Sequence, residues 1–253
     1  MRLGQGTSAI VTGACSGLGL ATARALAATG TAVALLDLPD AKGDDLAAEL
    51  GNGAIYAPGD VTSGANVARA IELARDRGHL RVAVNCAGIA GPNPILGPAA
   101  ASLTRFTTLM QVNVAGTVNV MGQAATAMAA YPDDGTEDRG VIVNTSSVAA
   151  FDGQRGETAY SASKGAVAAM TLPAARELAS VRIRVVAIAP GRFRTPLIEK
   201  FREGELDVAA ADVPHPHRLG EPGEFASLVM HVIANPMING AVIRIDGALR
   251  MSW

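Results

Sequence analysis

The chain has 253 residues, of which 49% are hydrophobic and 17% charged, with a net charge of −2. That length suits one large α/β domain or two small ones, and the apolar fraction excludes disorder of the chain as a whole. The near-neutral charge and the 4% aromatic content give no electrostatic or stacking basis for nucleic acid or an anionic membrane as partner.

Short apolar runs punctuate the chain at 8–11, 32–36, 55–56, 82–84, 141–143, 185–188 and 241–245. They are nearly continuous in apolar residues, the pattern of strands buried on both faces of a parallel sheet. Ala-rich helix candidates lie between them, near 18–29, 41–50, 64–77, 102–129, 158–179 and 222–234. Right-handed strand–helix–strand crossovers then predict an α/β, single-domain Rossmann fold: a doubly wound, seven-stranded parallel sheet with helices on both faces. The expected domain is the whole of 1–253, since no linker or repeat divides it.

Two stretches break the rhythm. The polar string YPDDGTEDRG at 131–140 reads as an exposed loop before a strand. The stretch at about 192–220 is long, mixed in charge and carries Pro196, Pro214 and Pro216, and loops of that length in a compact domain are usually functional. Pro173 is expected to remove one backbone hydrogen bond from the helix that begins near Thr158. The two cysteines, Cys15 and Cys86, lack metal-ligand spacing, so neither a disulfide scaffold nor a metal site is expected. The first strand-like run begins by Thr7 and no apolar stretch is long enough to span a membrane. These features predict a cytoplasmic chain without a targeting segment or a membrane partner.

After the first strand comes Thr12-Gly13-Ala14-Cys15-Ser16-Gly17-Leu18-Gly19, opening a helix. Such glycines let a backbone turn sharply against a pyrophosphate, and the helix N-terminus offers free N–H groups and a positive dipole end. The spacing differs from GxGxxG, and an ordinary Gly-rich turn has the same composition. Asp37, at the end of the second strand about 20 residues past the glycines, adds a carboxylate suited to ribose hydroxyls and repellent to a 2′-phosphate. A solvated Asp before Pro39 is the plainer alternative. Asp60-Val61 and Asn85-Cys86-Ala87-Gly88 follow the third and fourth strands, at the same sheet edge, where ligands of open parallel sheets sit.

Tyr160 and Lys164 are four apart and share one helix face. A free phenol, with a pKa near ~10, is too weakly acidic to act as a base at neutral pH, and a nearby ammonium is expected to lower that value. The pair in isolation equally suits a helix surface. Its position thirteen residues after Ser147, in the string Ser146-Ser147, adds the hydroxyl donor that carbonyl–carbinol chemistry requires.

TGxxxGxG, NxAG, Asn113, Ser147, YxxxK and Pro190-Gly191 together, in this order and spacing over essentially the whole chain, resemble the short-chain dehydrogenase/reductase family. Within the family, the strings NTSSVAAFDGQRGETAYSASKG, VVAIAPGRFRTPL and INGAVIRIDGALRM are similar to the 3-hydroxyacyl-CoA dehydrogenase branch. The resemblance implies NAD-dependent interconversion of 3-hydroxyacyl-CoA and 3-oxoacyl-CoA, in fatty acid metabolism, by a homotetramer. It implies four catalytic residues: Tyr160 as acid/base, Ser147 on the substrate oxygen, Lys164 on the nicotinamide ribose, and Asn113 positioning a relay water. Implied cofactor contacts are Gly13, Ser16, Gly17, Leu18, Gly19, Asp37, Asp60, Val61, Asn85, Cys86, Ala87, Gly88, Tyr160, Lys164, Pro190, Gly191, Phe193 and Thr195, with no metal.

Arg192 and Arg194 depart from that branch, where smaller or apolar residues are expected. Solvated loop cations are the expected reading, and contact with an acyl-carrier phosphate the alternative. The stretch 199–216, expected to cover the substrate, also differs. His215 and His217 are expected to be exposed, and Trp253 either packs on a neighbouring subunit or frays. The alternatives carried are a 3-oxoacyl-carrier-protein reductase, a hydroxysteroid dehydrogenase, and a non-catalytic dinucleotide sensor.

Overall fold

The structure, a computed structural model, describes residues 1–39, 42–96, 102–132, 135–196 and 209–251. Seven strands form one parallel sheet: β1 (Thr7–Thr12), β2 (Ala32–Asp37), β3 (Ile55–Pro58), β4 (His79–Asn85), β5 (Gly140–Thr145), β6 (Ile183–Pro190) and β7 (Val242–Ile245). Their order across the sheet is β3-β2-β1-β4-β5-β6-β7. The chain therefore runs outward in one direction from β1 and, after β3, returns to β4 and runs outward the other way. The resulting crevice, at the carboxyl ends of β1 and β4, is where such sheets bind ligands.

The strands read as continuous apolar runs because both faces are covered. In β1, Ala9 and Val11 pack into one core and Ile10 into the other. In β5, Val141 and Val143 alternate with Ile142 in the same way. The first core is closed by α1 (Gly17–Ala27) and α7 (Pro222–Ala234) through Leu26, Phe225 and Val229. The second is closed by α3 (Gly64–Arg75), α5 (Thr117–Ala129) and α6 (Thr158–Leu178) through Ile71, Val120 and Ala175. A shorter helix, α2 (Gly43–Leu50), packs its Ala47 against the first core.

The helix expected over 102–129 is α4 (Leu103–Met110) and α5 joined by a π-helical segment, Gln111–Gly116. Periodicity does not register this, because a single π turn merely rotates the helix face by one position. Such turns recur at functional sites, and this one carries Asn113.

The loop expected to be exposed at 131–140 is in part buried. Asp138 is 7% exposed and its carboxylate accepts from Arg184 Nε at 3.1 Å and Nη2 at 3.0 Å. The same guanidinium donates to the carbonyls of Val232, Ile233 and Asn235 at the end of α7, and to Ile238. Four unsatisfied C-terminal carbonyls are left by any helix, and here a buried cation on β6 serves them. Among the described residues, no helix is long and apolar enough to cross a membrane. No group of His, Cys, Asp and Glu among them is placed to hold a metal ion. Neither Cys15 nor Cys86 is in a disulfide.

Candidate active site

The turn after β1 is held by contacts that need its glycines. Thr12 Oγ1 accepts from the backbone N–H groups of Cys86 and Ala87, at 3.1 and 3.0 Å, tying the ends of β1 and β4 together. Gly13 sits at φ +61°, and a Cβ there would meet Ala87 N at 2.9 Å. A methyl on Gly19 would overlap the carbonyl oxygen of Gly13. The backbone thus comes closer to itself than any side chain allows, leaving α1 to present its N-terminus to the crevice. At its N-cap, Ser16 makes no side-chain capping bond.

Asp37 ends β2 and fixes the same loop. Its Oδ2 accepts from Cys15 N and its Oδ1 from Leu38 N, both at 2.8 Å. A carboxylate oxygen retains a second lone pair after one such bond, so Asp37, which lines the cleft, keeps acceptor capacity there. Asp60 is held by a bond from Thr62 N to its Oδ1 at 2.8 Å, and Val61 by one from Asn119 Nδ2 to its carbonyl.

These residues line one cleft of about 400 Å³, together with Leu38, Gly88 and Ile89. Gly13, Ser16, Gly17, Leu18, Gly19 and Asp60 line it, as do Val61, Cys86, Ala87 and Thr195. Gly88 marks the join to the chemical residues: a Cβ there would lie 3.2 Å from Asn113 Oδ1 and 3.5 Å from Lys164 Nζ. Asn85 stands behind the cleft, donating to Asn144 Oδ1 at 2.9 Å. Pro190 closes β6, and Gly191 N donates to Ile245 O at 2.9 Å. A Cβ on Gly191 would meet Asp246 at 2.9 Å, so the chain leaves β6 only through a glycine.

Ser147 follows β5 and its Oγ accepts from Ala149 N at 3.1 Å. Tyr160 lies in the first turn of α6, with the Ser147 hydroxyl beside its phenol. Burial pushes the phenol up to about 12, against the lowering effect of that hydroxyl, and nearby Glu157 raises it further. Lys164 is buried, donates from Nζ to the carbonyl of Thr145 at 2.8 Å, and is brought down to about 8 by burial. The helical spacing does place Nζ near the phenol, 5.8 Å from the ring centroid. The expected lowering of the phenol is nevertheless reversed in the protein alone. Desolvation disfavours both charged forms at once, and the ammonium is turned to Thr145 O.

Asn113 braces rather than faces the cleft. Its amide closes two bonds with Ile89, Oδ1 from N at 2.8 Å and Nδ2 to O at 2.9 Å, and donates to Ser163 Oγ at 2.9 Å. Ser163 in turn donates to the Tyr160 carbonyl at 2.7 Å, and Ser146 Oγ donates to the Lys164 carbonyl at 2.9 Å. Thr145, Ser163 and Asn144 escaped sequence reasoning. Ser163 lies between Tyr160 and Lys164 in the motif itself, and Asn144 is the cross-strand neighbour of Asn85. Those two were available signals; a backbone acceptor such as Thr145 O leaves none.

Two expectations change. The Phe193 side chain is buried edge-on to Phe225, with ring centroids 6.5 Å apart, so its backbone is what is left to meet a cofactor. Arg192 is not a solvated loop cation: it donates to Asp212 Oδ2 at 2.7 Å and to Ala209 O at 3.0 Å. Arg194 is a solvated loop cation, 54% exposed and paired at the surface with Glu221 at 3.1 Å. His215 and His217 are exposed. Of the stretch at 192–220, residues 197–208 lie outside the described residues, as does Trp253.

A doubly wound sheet whose crevice holds a glycine turn, with a half-buried phenol and a buried hydroxyl and ammonium next to Gly88, is the framework of a nicotinamide-dependent oxidoreductase. The chain belongs to the short-chain dehydrogenase family, whose description, short chain dehydrogenase, matches residues 7–206. It is 48% identical over 251 residues to 3-hydroxyacyl-CoA dehydrogenase type-2 of Homo sapiens, covering 98% of this chain and 96% of the relative. The protein of that name from Drosophila melanogaster is 48% identical over 246 residues, 96% of each chain. A crystal structure of 3-hydroxyacyl-CoA dehydrogenase type-2 from Mycobacterium avium superposes with a TM-score of 0.92 at 42% identity, covering 98% of this chain and 97% of that one.

Proposed function

We propose that this enzyme uses NAD to interconvert a secondary alcohol and a ketone, with 3-hydroxyacyl-CoA and 3-oxoacyl-CoA as its substrate pair. The observation that carries the reading is the grouping of Ser147, Tyr160 and Lys164, with Lys164 Nζ 5.8 Å from the phenol ring and next to Gly88, which lines the same cleft as Asp37. The near full-length similarity to relatives named 3-hydroxyacyl-CoA dehydrogenase type-2 supports the substrate class.

The cleft fits a dinucleotide on its own geometry. A dinucleotide would be held by Gly13–Gly19 and the α1 N-terminus at its pyrophosphate, by Asp37 at the adenosine ribose, by Asp60 and Val61 at the adenine, and by Tyr160 and Lys164 at the nicotinamide ribose. When bound, NAD supplies the hydride acceptor and a positive charge near the phenol. Ser147 holds the substrate oxygen, and Tyr160 takes the hydroxyl proton during oxidation or returns it during reduction. The Lys164 ammonium, next to the Tyr160 ring, would hold the nicotinamide ribose and favour the phenolate. Asn113 keeps Ile89 and α6 in register around that proton path.

Asp37 also supports NAD over NADP, because its carboxylate repels a 2′-phosphate. That weighs against the alternative of an NADPH-dependent 3-oxoacyl-carrier-protein reductase. Gly19→Ala is expected to weaken NADH binding by about tenfold or more, since the loop must retreat from the phosphates; fluorescence titration of NADH checks this. A panel of short and medium 3-hydroxyacyl-CoA esters and steroids with NAD tests the substrate class. Highest kcat/KM on the thioesters is expected, and preference for a steroid would replace that assignment. The reading includes a cytoplasmic homotetramer, which sedimentation velocity tests as to subunit number.

A further inference from the structure

A cation at the edge of the sheet reaches the turn that carries Ser147. Arg244 lies on β7, with β6 between it and β5, the strand from which that turn begins. Ser147 caps the turn: its Oγ accepts from Ala149 N at 3.1 Å and its carbonyl from Ala150 N at 3.0 Å. At the other end, the backbone N–H groups of Phe151 and Asp152 both donate to the Val148 carbonyl, each at 2.9 Å. The Asp152 carboxylate meets Arg244, with Oδ2 accepting from Nη2 at 2.6 Å. The Phe151 ring lies against the same guanidinium, its centroid 5.5 Å from Cζ. Residues 147–152 thus form one hydrogen-bonded unit with the Ser147 hydroxyl at one end and an ion pair at the other.

The guanidinium is anchored on its other side as well. Its Nε donates to Asp246 Oδ2 at 2.6 Å and its Nη2 to the Leu249 carbonyl at 2.9 Å. Asp246 is itself fixed, by Ala248 N on Oδ1 at 3.0 Å and by Arg250 on Oδ2 at 3.2 Å. Its backbone packs on Gly191, the glycine through which the chain leaves β6. Gly153, just past Asp152, comes so near α6 that a Cβ would lie 2.4 Å from Ser161 Oγ. The Ser147 turn is therefore held between α6 and β7, and Arg244 links it to the chain at Gly191.

A guanidinium presents its donors in a rigid planar fork, so it fixes distances as well as charge. The Arg244 and Asp152 side chains are 22% and 20% exposed, which shields the pair from most of the solvent. We propose that Asp152 and Arg244 are positioning residues that hold the Ser147 hydroxyl in place relative to the chain at Gly191. The proposal rests on the reading of Ser147 as the holder of the substrate oxygen. Both residues act through the turn. A shift of about 1 Å in a positioned group costs up to about 10²-fold in rate. Asp152→Ala removes the carboxylate while Arg244 keeps Asp246 and the Leu249 carbonyl, so the 246–250 turn stays anchored. An effect that passes through Ser147 is expected to vanish where Ser147 has no hydroxyl. General loosening of the fold instead lowers both backgrounds by the same factor.

The test is the single-turnover rate of acetoacetyl-CoA reduction by NADH, with a parallel NADH titration. The proteins compared are the wild type, D152A, D152E, R244M, S147A and the double variant S147A/D152A. We expect D152A to slow the wild type about tenfold with NADH affinity unchanged, and to slow S147A by less than about twofold. D152E, which restores the carboxylate, is expected within about threefold of the wild type. R244M is expected to follow D152A; should it not fold, D152A and its cycle with S147A decide alone. A wild-type rate in D152A or in folded R244M overturns the proposal. So do equal fold losses in both backgrounds, a D152E no faster than D152A, or a fall in NADH affinity that matches the fall in rate. Wild-type turnover in S147A defeats the reading of Ser147 itself, whereas a slow S147A beside an unaltered D152A defeats only this pair.

Discussion

Tyr160→Phe is expected to lower kcat by about 10²–10⁴-fold, the range contributed by a positioned acid/base, with dinucleotide affinity nearly unchanged. The substitution removes one oxygen and keeps the ring, so the ring contact with Lys164 at 5.8 Å and the bond from Ser163 to the Tyr160 carbonyl both persist. What is lost is the proton carrier and the partner of Ser147. Stopped-flow turnover with a parallel NADH titration checks it. A mere two- or threefold loss would remove Tyr160 from the mechanism.

Asp138→Ala is expected to destabilise the fold by about 3–5 kcal/mol, the cost of leaving a buried charge uncompensated. Arg184 and Asp138 side chains are 5% and 8% exposed, and Arg184 also serves four carbonyls around the end of α7. Removing the carboxylate therefore loosens the link between β6 and α7, which closes one face of the sheet. Replacing both partners by apolar residues restores little here, because the α7 carbonyls then lose their donor. Urea denaturation checks this: the midpoint falls while the slope is retained. A surface loop at 131–140 would instead give a change within about 0.5 kcal/mol.

Asp138 also shows where sequence reasoning stops. Its neighbours are polar and acidic, and its partner lies 46 residues away, so nothing local marks it as buried. Strands β1, β4, β5 and β6 were legible because burial on both faces suppresses the polar alternation of a half-exposed strand. Asp37 and the Gly13–Gly19 turn were legible because chemistry restricts what fits there. Tyr160 and Lys164 were legible as a pair, but not their proton affinities: spacing shows proximity, whereas burial and the direction of the Lys164 ammonium set the sign. Arg192 looked solvated because its acceptors, Ala209 O and Asp212, are brought to it only by the fold. Phe193 matched a cofactor position by register, yet Phe225 claims its ring. The π turn at Asn113 is a one-residue departure that a periodic pattern averages away.

The cofactor cleft and the chemical end meet in one reaction, so the most direct measurement is reduction of acetoacetyl-CoA with NADH and NADPH compared at equal concentration. In the proposed reading the Asp37 carboxylate opposes a 2′-phosphate, so kcat/KM is expected to be higher with NADH by about 10²-fold or more. Equal or faster turnover with NADPH would contradict the account, as would no turnover of acetoacetyl-CoA with either.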